Sequence, residues 1–516
     1  MKIGDVDPAE VGAGQVESLA GRNPCLNERR LRAGESSPMR RCARQAQPSA
    51  RQWLGYGIPV GRNTGRVYVE RIQLTDIKGF TGSRTVDLDL PAQGGWTVLA
   101  GRNSSGKSTV LQAIALCLGG PATARGLVTD FGDWISDGAL SARVTATVVR
   151  DGTVDSFVGA GRPPVGALEL RMEWVRPDSE GDDRPEGLRP IMTGTSIPGD
   201  ESATRGPWSE NPRGWFCAGY GPFRRLVGGS GDAQRLMLAQ GPSGRMVSLF
   251  HEEASLAEGV TWLIDLRLRE LENKKGTAGP LLRTVLALVG DGLLPDEYQI
   301  SKVTADGLWV DRKGSASTAF PLRAMSDGYR TVASLVLDLV RQINTVYGRL
   351  DTAATESGGV ALLAPGVVLI DEVDAHLHVS WQRKIGGWLR EHFPNIQFIV
   401  SSHSPYICQA ADPGGLIRLP GPNDMGPPEV VDHDLYQRVV YGSSDDAVLS
   451  ELFGLETPYS SQAELARARL VSLERKVYAG TADPDDQAEY EELSELLTSS
   501  LGTRVTEVAA RLNEDQ

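Results

Sequence analysis

Alternation of apolar and polar residues marks four segments of this chain as strands with one buried face. The alternation runs through residues 67–74, 85–90, 142–149 and 167–174. Successive side chains of a strand point to opposite faces of its sheet, so each of these segments would bury one side. Strands of this kind typically pair in antiparallel sheets that leave the other face to solvent. The pattern therefore predicts an antiparallel sheet that flanks the core of the fold.

A second set of segments is apolar without alternation. Residues 96–100, 367–370 and 397–402 are short runs of this kind. Continuous Val, Leu and Ile runs are typical of parallel strands that are buried on both faces. Residues 110–118 (VLQAIALCL) indicate a largely apolar helix that follows the first of these strands. The two sets together predict an α/β fold with a parallel core sheet and an antiparallel β-subdomain.

Helical spacing of apolar residues appears later in the chain. It predicts helices over residues 254–272, 280–289, 331–343, 461–478 and 483–497. A hairpin over 298–303 and 308–311 would be turned by Asp306-Gly307. The last two helices predict a C-terminal helical hairpin, whose first helix begins with a capping box from Ser461 to Glu464.

Residues 176–245 are rich in Gly, Pro, Asp and Ser and predict loops. One dense patch in this region, residues 214–225 (GWFCAGYGPFRR), places aromatic residues beside a pair of arginines. Such a patch could stack on bases and contact phosphates. We prefer the commoner alternative, an apolar cluster beneath a loop. Asp432-His433-Asp434 likewise indicates a solvated loop rather than a metal site.

Composition narrows the class of protein. The 516 residues carry a net charge of −13, which disfavours non-specific adsorption to nucleic acid but leaves a local basic face open. No apolar run approaches the ~20 residues that cross a bilayer. The five cysteines show no paired spacing, which argues against a disulfide framework or a zinc site. We therefore expect a cytoplasmic protein of two or three domains without a membrane span.

Residues 1–66 differ from the rest of the chain. They carry 11 Lys and Arg residues against 6 Asp and Glu, and they show no sustained periodicity. Too little apolar surface is present to offset the entropy of ordering them, so we predict a disordered basic segment. A basic arm that contacts nucleic acid or a partner, and a non-functional extension from an upstream start codon, are the alternatives.

The first candidate functional motif directly follows the first continuous apolar run. Residues 101–109 (GRNSSGKST) match the phosphate-binding loop, a glycine, four residues and then Gly-Lys-Ser. A loop between a strand end and a helix start aims its backbone N–H groups inward, where the helix dipole adds positive potential. We predict a nucleotide site formed by Gly101, Asn103, Ser104, Ser105, Gly106, Lys107, Ser108 and Thr109. Lys107 would reach the β- and γ-phosphates, and Ser108 would hold Mg²⁺.

Three further motifs follow. Ser326 suits the N-cap of a helix and is followed two residues later by Gly328. Asp371 and Glu372 end the second apolar run, at the strand end where α/β sheets bind ligands. Asp371 would bind Mg²⁺, and Glu372 would polarise the attacking water. His403 ends the third apolar run and could sense the γ-phosphate, although a lone histidine is usually structural.

The order of these four motifs resembles that of ABC-type ATPases, in which a signature motif precedes the Asp-Glu strand and a histidine strand follows. Residues 371–382 (DEVDAHLHVSWQ) and 401–405 (SSHSP) are more similar to the RecF/OLD-like branch, which includes standalone ATPases of anti-phage systems such as Septu. The resemblance covers residues 67–420, with an insertion at about 150–320. It implies an ABC-type P-loop head with a helical signature subdomain, and it leaves 421–516 as a C-terminal region for docking a partner.

The resemblance also implies how the site is completed. A head-to-tail homodimer, or a higher oligomer, would hold two ATP molecules between copies, and ATP would close it while hydrolysis released it. Each site would combine two sets of residues, namely Lys107, Ser108, Asp371, Glu372 and His403 of one copy and Ser326 and Gly328 of the other. Lys107, Glu372 and His403 would be catalytic, and Ser108 and Asp371 would hold the metal.

Three departures from the ABC pattern bear on turnover. The signature is Met-Ser-Asp-Gly-Tyr instead of Leu-Ser-Gly-Gly-Gln, and His378 stands where transporters carry aspartate. No glutamine occurs between residues 113 and 233, so the glutamine that usually couples Mg²⁺ to the partner domain has no candidate. We therefore expect hydrolysis to be slow or dependent on an activator.

The C-terminal region of the chain helps to distinguish between the possible functions. It lacks the alternating strands and helices of a Toprim nuclease, so no nuclease centre is expected in this chain. Our main hypothesis is an ATPase whose dimerisation controls a separate effector, which by resemblance to Septu would be a nuclease of HNH type. A RecF-like repair ATPase that binds DNA directly is the alternative. A transporter subunit is disfavoured by the insertion and the missing glutamine.

Overall fold

The computed structural model describes residues 67–497, apart from residues 151, 153–154, 160–165, 177–190, 195–201, 211, 226–229, 240, 295–297, 313–318, 425 and 456. The predicted disordered segment, residues 1–66, lies outside the described residues, as does the end of the tail beyond residue 497.

The strands of the described residues are numbered here in chain order. They are β1 Tyr68–Thr75, β2 Val86–Asp89, β3 Gly95–Ala100, β4 Ser141–Val149, β5 Leu168–Val175, β6 Ile191–Gly194, β7 Cys217–Tyr220, β8 Tyr298–Thr304, β9 Gly307–Arg312, β10 Phe320–Pro321, β11 Thr352–Ala354, β12 Val360–Leu362, β13 Gly366–Ile370, β14 Ile396–Ser402, β15 Leu416–Arg418 and β16 Glu429–Val430.

The helices are numbered in the same way. They are α1 Lys107–Leu127, α2 Ser202–Arg205, α3 Gly231–Met237, α4 Pro242–Phe250, α5 Glu258–Glu272, α6 Ala278–Gly290, α7 Asp327–Tyr347, α8 Val379–Gln382, α9 Ile385–His392, α10 Pro405–Cys408, α11 His433–Tyr441, α12 Ser444–Val448, α13 Ser461–Tyr478 and α14 Pro484–Leu497.

The core sheet has the strand order β16-β15-β3-β14-β13-β7. Its strands are parallel from β15 to β7, and β16 pairs antiparallel at one edge. The three continuous apolar runs form the adjacent strands β3, β14 and β13, so this prediction is confirmed. The carboxyl ends of these three strands meet at one edge of the sheet, where α/β folds bind ligands.

The strand β7 lies where the sequence predicted loops. It pairs in parallel with β13, with Cys217 opposite Val367 and Tyr220 opposite Ile370. Trp215, Phe216 and Tyr220 are buried in the core, so the interpretation of residues 214–225 as a cluster beneath a loop is wrong. These three rings cannot stack on bases, whereas Phe223 is half-buried beneath the exposed Arg225. The strand was not recognised in the sequence because glycines interrupt its apolar residues. Glycine is needed directly after the strand, since a Cβ at Gly221 would lie 2.1 Å from the Ser248 carbonyl oxygen on α4.

The predicted antiparallel sheet is confirmed and has the order β2-β1-β4-β5-β6. Helix α1 packs between the two sheets, against β4 and β5 on one side and β7 and β14 on the other. Among the described helices, α1 alone is long and apolar enough to cross a membrane, by length and composition only. Its most apolar window is 72% buried within the fold, as in the core helix of a globular domain.

A helical subdomain joins α5, α6 and the first helix after the signature motif, α7, with the sheet β10-β9-β8. The predicted hairpin is present, but its turn is Ala305-Asp306 because Thr304 pairs with Gly307. Helix α7 is longer than predicted at both ends and terminates at Gly348, which has a left-handed φ of 71°. The chain therefore leaves the subdomain abruptly and returns to the core sheet.

The region after residue 420 continues the head before it becomes a separate hairpin. Strand β16 pairs with β15, and the Tyr436 hydroxyl on α11 donates to the Ala411 carbonyl at 2.8 Å. The solvated loop predicted at 432–434 is wrong, because Asp432 caps α11 by accepting from the Leu435 N–H at 2.8 Å. The predicted boundary at residue 420 thus falls within the core sheet.

The C-terminal helical hairpin is confirmed as α13 packed against α14. The N-cap of α13 is Ser460 instead of Ser461, since its side chain accepts from the Ala463 N–H. Lys476 on α13 bonds both carboxylate oxygens of Asp486 on α14 at 2.7 Å, which ties the two helices together.

Candidate functional site

The phosphate-binding loop lies between β3 and α1, as predicted. Gly106 has a φ of 94°, and a Cβ there would lie 2.4 Å from the Phe80 ring, so only glycine fits. The Lys107 side chain is buried, and its ammonium donates to the Gly101 and Arg102 carbonyls at 3.0 Å each. Ser105 Oγ is also buried and has no hydrogen-bond partner among the described residues. The loop therefore presents a lysine and an unpaired hydroxyl group in a cradle that suits a phosphate.

A pocket of about 480 Å³ opens on this loop. Its lining brings together most of the predicted nucleotide residues and all three of the predicted catalytic ones, namely Asn103, Ser104, Ser105, Gly106, Lys107, Ser108, Thr109, Glu372 and His403. Gly79, Phe80 and Arg84 complete the wall and were not predicted. Arg84 is held by the chain after β15, because its guanidinium donates to the carbonyls of Pro420 and Gly421.

Two carboxylates follow β13, of which Glu372 lines this pocket, whereas Asp371 is not among the lining residues but is close enough for its charge to act on Lys107. Asp371 is buried and accepts a hydrogen bond from Ser401 Oγ, which lies on the neighbouring strand β14. The same Oγ accepts the Glu372 N–H at 2.8 Å. Glu372 has a left-handed φ of 44°, a conformation that costs about 1–2 kcal/mol for a side-chain-bearing residue. The strand end is therefore bent to turn the Glu372 side chain toward the phosphate loop.

Electrostatics in the pocket are shaped by burial. Burial lowers the pKa of Lys107 to about 8, although Asp371, Glu372 and Asp374 act to raise it. Burial raises the pKa of Glu372, and the like charges of Asp371 and Asp374 raise it further. A carboxylate with a raised pKa is a better proton acceptor, which is what general-base catalysis needs. Burial and then the Lys107 charge lower the pKa of His403, so its ring is neutral at pH 7.

One buried arginine that the sequence analysis did not single out binds the loop that begins with Asp371 and Glu372, here called the carboxylate loop. Arg224 is 2% exposed and donates to the backbone carbonyls of Asp371 at 3.0 Å, Glu372 at 3.1 Å and Val373 at 3.3 Å. Burial lowers its pKa to about 10, and the nearby carboxylates oppose that shift, so it stays charged at pH 7. The signal available in the sequence was an Arg-Arg pair, which does not say which member is buried.

The signature residues lie apart from the nucleotide pocket. Ser326 is the N-cap of α7, but its exposed side chain makes no capping hydrogen bond. A Cβ on Gly328 would lie 2.4 Å from the His376 carbonyl, so the helix start packs directly on the carboxylate loop. Asp327 pairs with Arg330, and both line a second depression of about 310 Å³. Neither Ser326 nor Gly328 lines the pocket that contains Lys107 and Glu372.

Comparisons with known proteins agree with this geometry. A family model described as "AAA domain, putative AbiEii toxin, Type IV TA system" matches residues 279–409, and a second, "AAA domain", matches residues 71–147. The chain is 24% identical over 341 residues to the Septu protein PtuA of Bacillus mycoides (strain KBAB4), covering 66% of this chain and 38% of that protein. The resemblance to ABC-type ATPases is confirmed.

Two further similarities were found. A probable ATPase of retron Vc95 from Vibrio cholerae serotype O1 biovar El Tor is 38% identical over 112 residues, which cover 22% of this chain and 20% of that protein. A solved Smc head bound to the C-winged helix domain of ScpA shares 18% identity at a TM-score of 0.40, covering 70% of this chain and 97% of that one. The chain thus aligns with well under half the length of either curated relative.

The residues present fit a nucleotide and its metal. Ser108 and Asp371 supply a hydroxyl and a carboxylate oxygen, the oxygen donors that Mg²⁺ prefers. The Lys107 ammonium, the unpaired Ser105 hydroxyl and the N-terminus of α1 converge on the same pocket. Each can bind phosphate oxygens, and together they supply donors and positive potential that favour a bound triphosphate.

Proposed function

We propose that this protein hydrolyses ATP at sites formed between two copies of the chain. One observation carries the proposal. A single chain holds a phosphate pocket with Glu372 and His403, while its signature residues Ser326 and Gly328 lie outside that pocket and flank Asp327, which lines a separate depression. Two copies arranged head to tail would bring each depression onto the partner's pocket, which closes two sites at once.

The chain's own residues then have distinct roles. Ser108 and Asp371 would hold Mg²⁺, which would neutralise phosphate charge, and Lys107 would bind the β- and γ-phosphates. Glu372 accepts a proton from the attacking water, for which its raised pKa suits it. Neutral His403 donates a hydrogen bond to the γ-phosphate. The dipole of α7, opened by Ser326, adds positive potential from the second copy.

Specific activity should depend on protein concentration if the site is shared. A lone copy would bind ATP but hydrolyse it poorly, so turnover per chain should rise as dimers form and then level off. Steady-state phosphate release measured from nanomolar to micromolar protein tests this expectation. Turnover per chain that stays constant while light scattering reports a monomer would contradict the shared site.

The C-terminal hairpin is the surface we assign to an effector in the cytoplasm. On α13, Leu465 is 73% exposed and Tyr478 is 81% exposed. Helix α14 carries Asp485, Asp486, Glu489, Glu491, Glu492 and Glu495 and no basic residue. Exposed apolar side chains beside an acidic helix suit a partner with a basic and apolar face. The partner class that we propose is an anti-phage nuclease of HNH type, which the Septu and retron names of the relatives support.

Charge placed on this hairpin should break effector binding without affecting ATP hydrolysis. We expect Leu465→Asp with Tyr478→Asp to lose at least ~10-fold in affinity for the protein encoded beside this gene, because a buried apolar contact is replaced by charge. Co-expression followed by sedimentation measures the complex. Leu140→Asp, at a 75% exposed position on the head, is the matched control. A neighbour that binds the double variant as tightly as the wild type would rule out the hairpin as its docking surface.

A further inference from the structure

Arg224 fastens the loop that carries the catalytic carboxylates. One guanidinium nitrogen donates to the carbonyls of Gly221 and Asp371, and the other donates to those of Glu372 and Val373. Lysine could not reproduce this set, because its single ammonium lacks the rigid fork that reaches several acceptors at once. The backbone around Glu372 is therefore held by one side chain from the chain segment after β7.

The same loop is held on its opposite side by β14. Ser401 Oγ accepts the Glu372 N–H, and the Ser401 carbonyl accepts the Val373 N–H at 3.0 Å. Glu372 keeps its left-handed φ of 44° between these two sets of contacts. A strained conformation of this kind persists only where the surroundings fix it. Loss of Arg224 would leave the loop attached from one side only.

Arg224 is also joined to the signature helix. Its backbone carbonyl accepts a hydrogen bond from Ser334 Oγ at 3.0 Å, and Ser334 lies two turns into α7. At the start of α7, Gly328 packs against the His376 carbonyl of the carboxylate loop. Helix α7 and the loop that bears Glu372 thus contact each other at two places, and Arg224 is one of them.

We propose that Arg224 is a positioning residue that couples the two ATP sites of a dimer. The inference rests on the proposed function, in which Glu372 serves the chain's own nucleotide and α7 serves the nucleotide of the other copy. When α7 engages the second nucleotide, its movement is passed through Ser334 and Arg224 to the backbone of Glu372. Hydrolysis at one site then depends on occupation of the other.

Three substitutions separate this role from a purely structural one. Arg224→Lys keeps the charge but loses most of the carbonyl contacts. Ser334→Ala removes the link between α7 and Arg224, together with the contact of Ser334 Oγ with the Thr331 carbonyl at 2.9 Å within α7. Arg245→Lys is the matched control. Arg245 is also buried and donates to a β7 carbonyl, that of Cys217 at 3.0 Å, but at the end of the strand away from the carboxylates.

For Arg224→Lys we expect kcat to fall roughly 100-fold with ATP affinity unchanged, since a displaced base slows chemistry without weakening phosphate binding. For Ser334→Ala we expect a loss of up to about tenfold in kcat. The Hill coefficient for the dependence of hydrolysis on ATP concentration should fall to one. Arg245→Lys should lower the Tm but keep the wild-type kcat and Hill coefficient. Thermal unfolding of each variant checks that the fold is retained.

The inference and the proposed function can fail separately. If wild-type turnover depends on protein concentration but Arg224→Lys and Ser334→Ala keep the wild-type kcat and Hill coefficient, Arg224 does not couple the sites. The same conclusion follows if Arg245→Lys lowers kcat and the Hill coefficient as much as they do. If the wild-type protein turns over ATP as a monomer, the dimeric function itself is wrong.

Discussion

Glu372→Gln should slow ATP hydrolysis by roughly 10²- to 10⁴-fold while leaving ATP binding intact, because a general base contributes about that much. Glutamine keeps the shape of the side chain but cannot accept the proton of the attacking water. The loop should stay in place, since its contacts with Ser401 and Arg224 are made by the Glu372 backbone. The variant should therefore hold ATP in a closed dimer. Rapid filtration measures the retained ATP, and light scattering measures a doubling of mass.

The pH profile gives a second signature of the same residue. Because burial and two neighbouring carboxylates raise the pKa of Glu372, the carboxylate is lost as pH falls through a value above that of an ordinary glutamate. Wild-type kcat should fall on this acid limb, and the residual activity of Glu372→Gln should lack it. Glu391→Gln, an exposed change on α9, is the control. Hydrolysis by Glu372→Gln within a few-fold of the wild-type rate would show that another group is the base.

Two substitutions on different faces should each abolish hydrolysis, but for different reasons. Lys107→Ala removes the buried cation of the phosphate loop and should weaken ATP binding by at least ~10-fold, as expected for charge-assisted hydrogen bonds. Ser326→Arg should bind ATP normally, because Ser326 is exposed and lies outside the nucleotide pocket. Its bulk should instead block closure of the dimer, and kcat should fall at least ~100-fold as the site stays incomplete.

Equilibrium binding of a fluorescent ATP analogue separates the two variants. Lys107→Ala should lose the signal, and Ser326→Arg should keep it. Ser301→Arg, an exposed change on β8, should behave as the wild type in both binding and turnover. Loss of ATP binding by Ser326→Arg would place the signature residues in the chain's own pocket.

Those parts of the site that depend on short stretches of chain could be predicted from sequence. The phosphate loop, the Asp371-Glu372 pair and His403 each follow a continuous apolar run, and parallel strands bring such ends to one edge. Ser326 was placed correctly at the N-cap of α7 for the same reason, since capping is a local property. In the structure the Ser326 hydroxyl makes no capping hydrogen bond, so it is available to bind another group.

The parts that depend on distant pairing could not be predicted. Strand β7 is four residues long, and its place beside β13 is fixed by a partner about 150 residues later in the chain. Arg224 and Arg225 are indistinguishable by residue type, and only the fold buries the first of them. The packing of residues 421–455 on the head was missed for a similar reason. Arg102 in the phosphate loop donates to the Gly454 carbonyl at 2.6 Å, a contact that no local pattern indicates.

The central claim is that each ATP site is shared between two copies of the chain. Mixing the two inactive variants, Lys107→Ala and Ser326→Arg, tests it most directly. A mixed dimer pairs the intact Lys107 of one copy with the intact Ser326 of the other, which completes one of its two sites. Half of the randomly paired dimers are mixed, and each has one complete site. Activity should therefore rise well above that of either variant alone, to at most roughly a quarter of the wild-type value, because coupling to the defective second site slows the complete one. A mixture as inactive as its two components, under conditions where the copies exchange, would contradict the shared site.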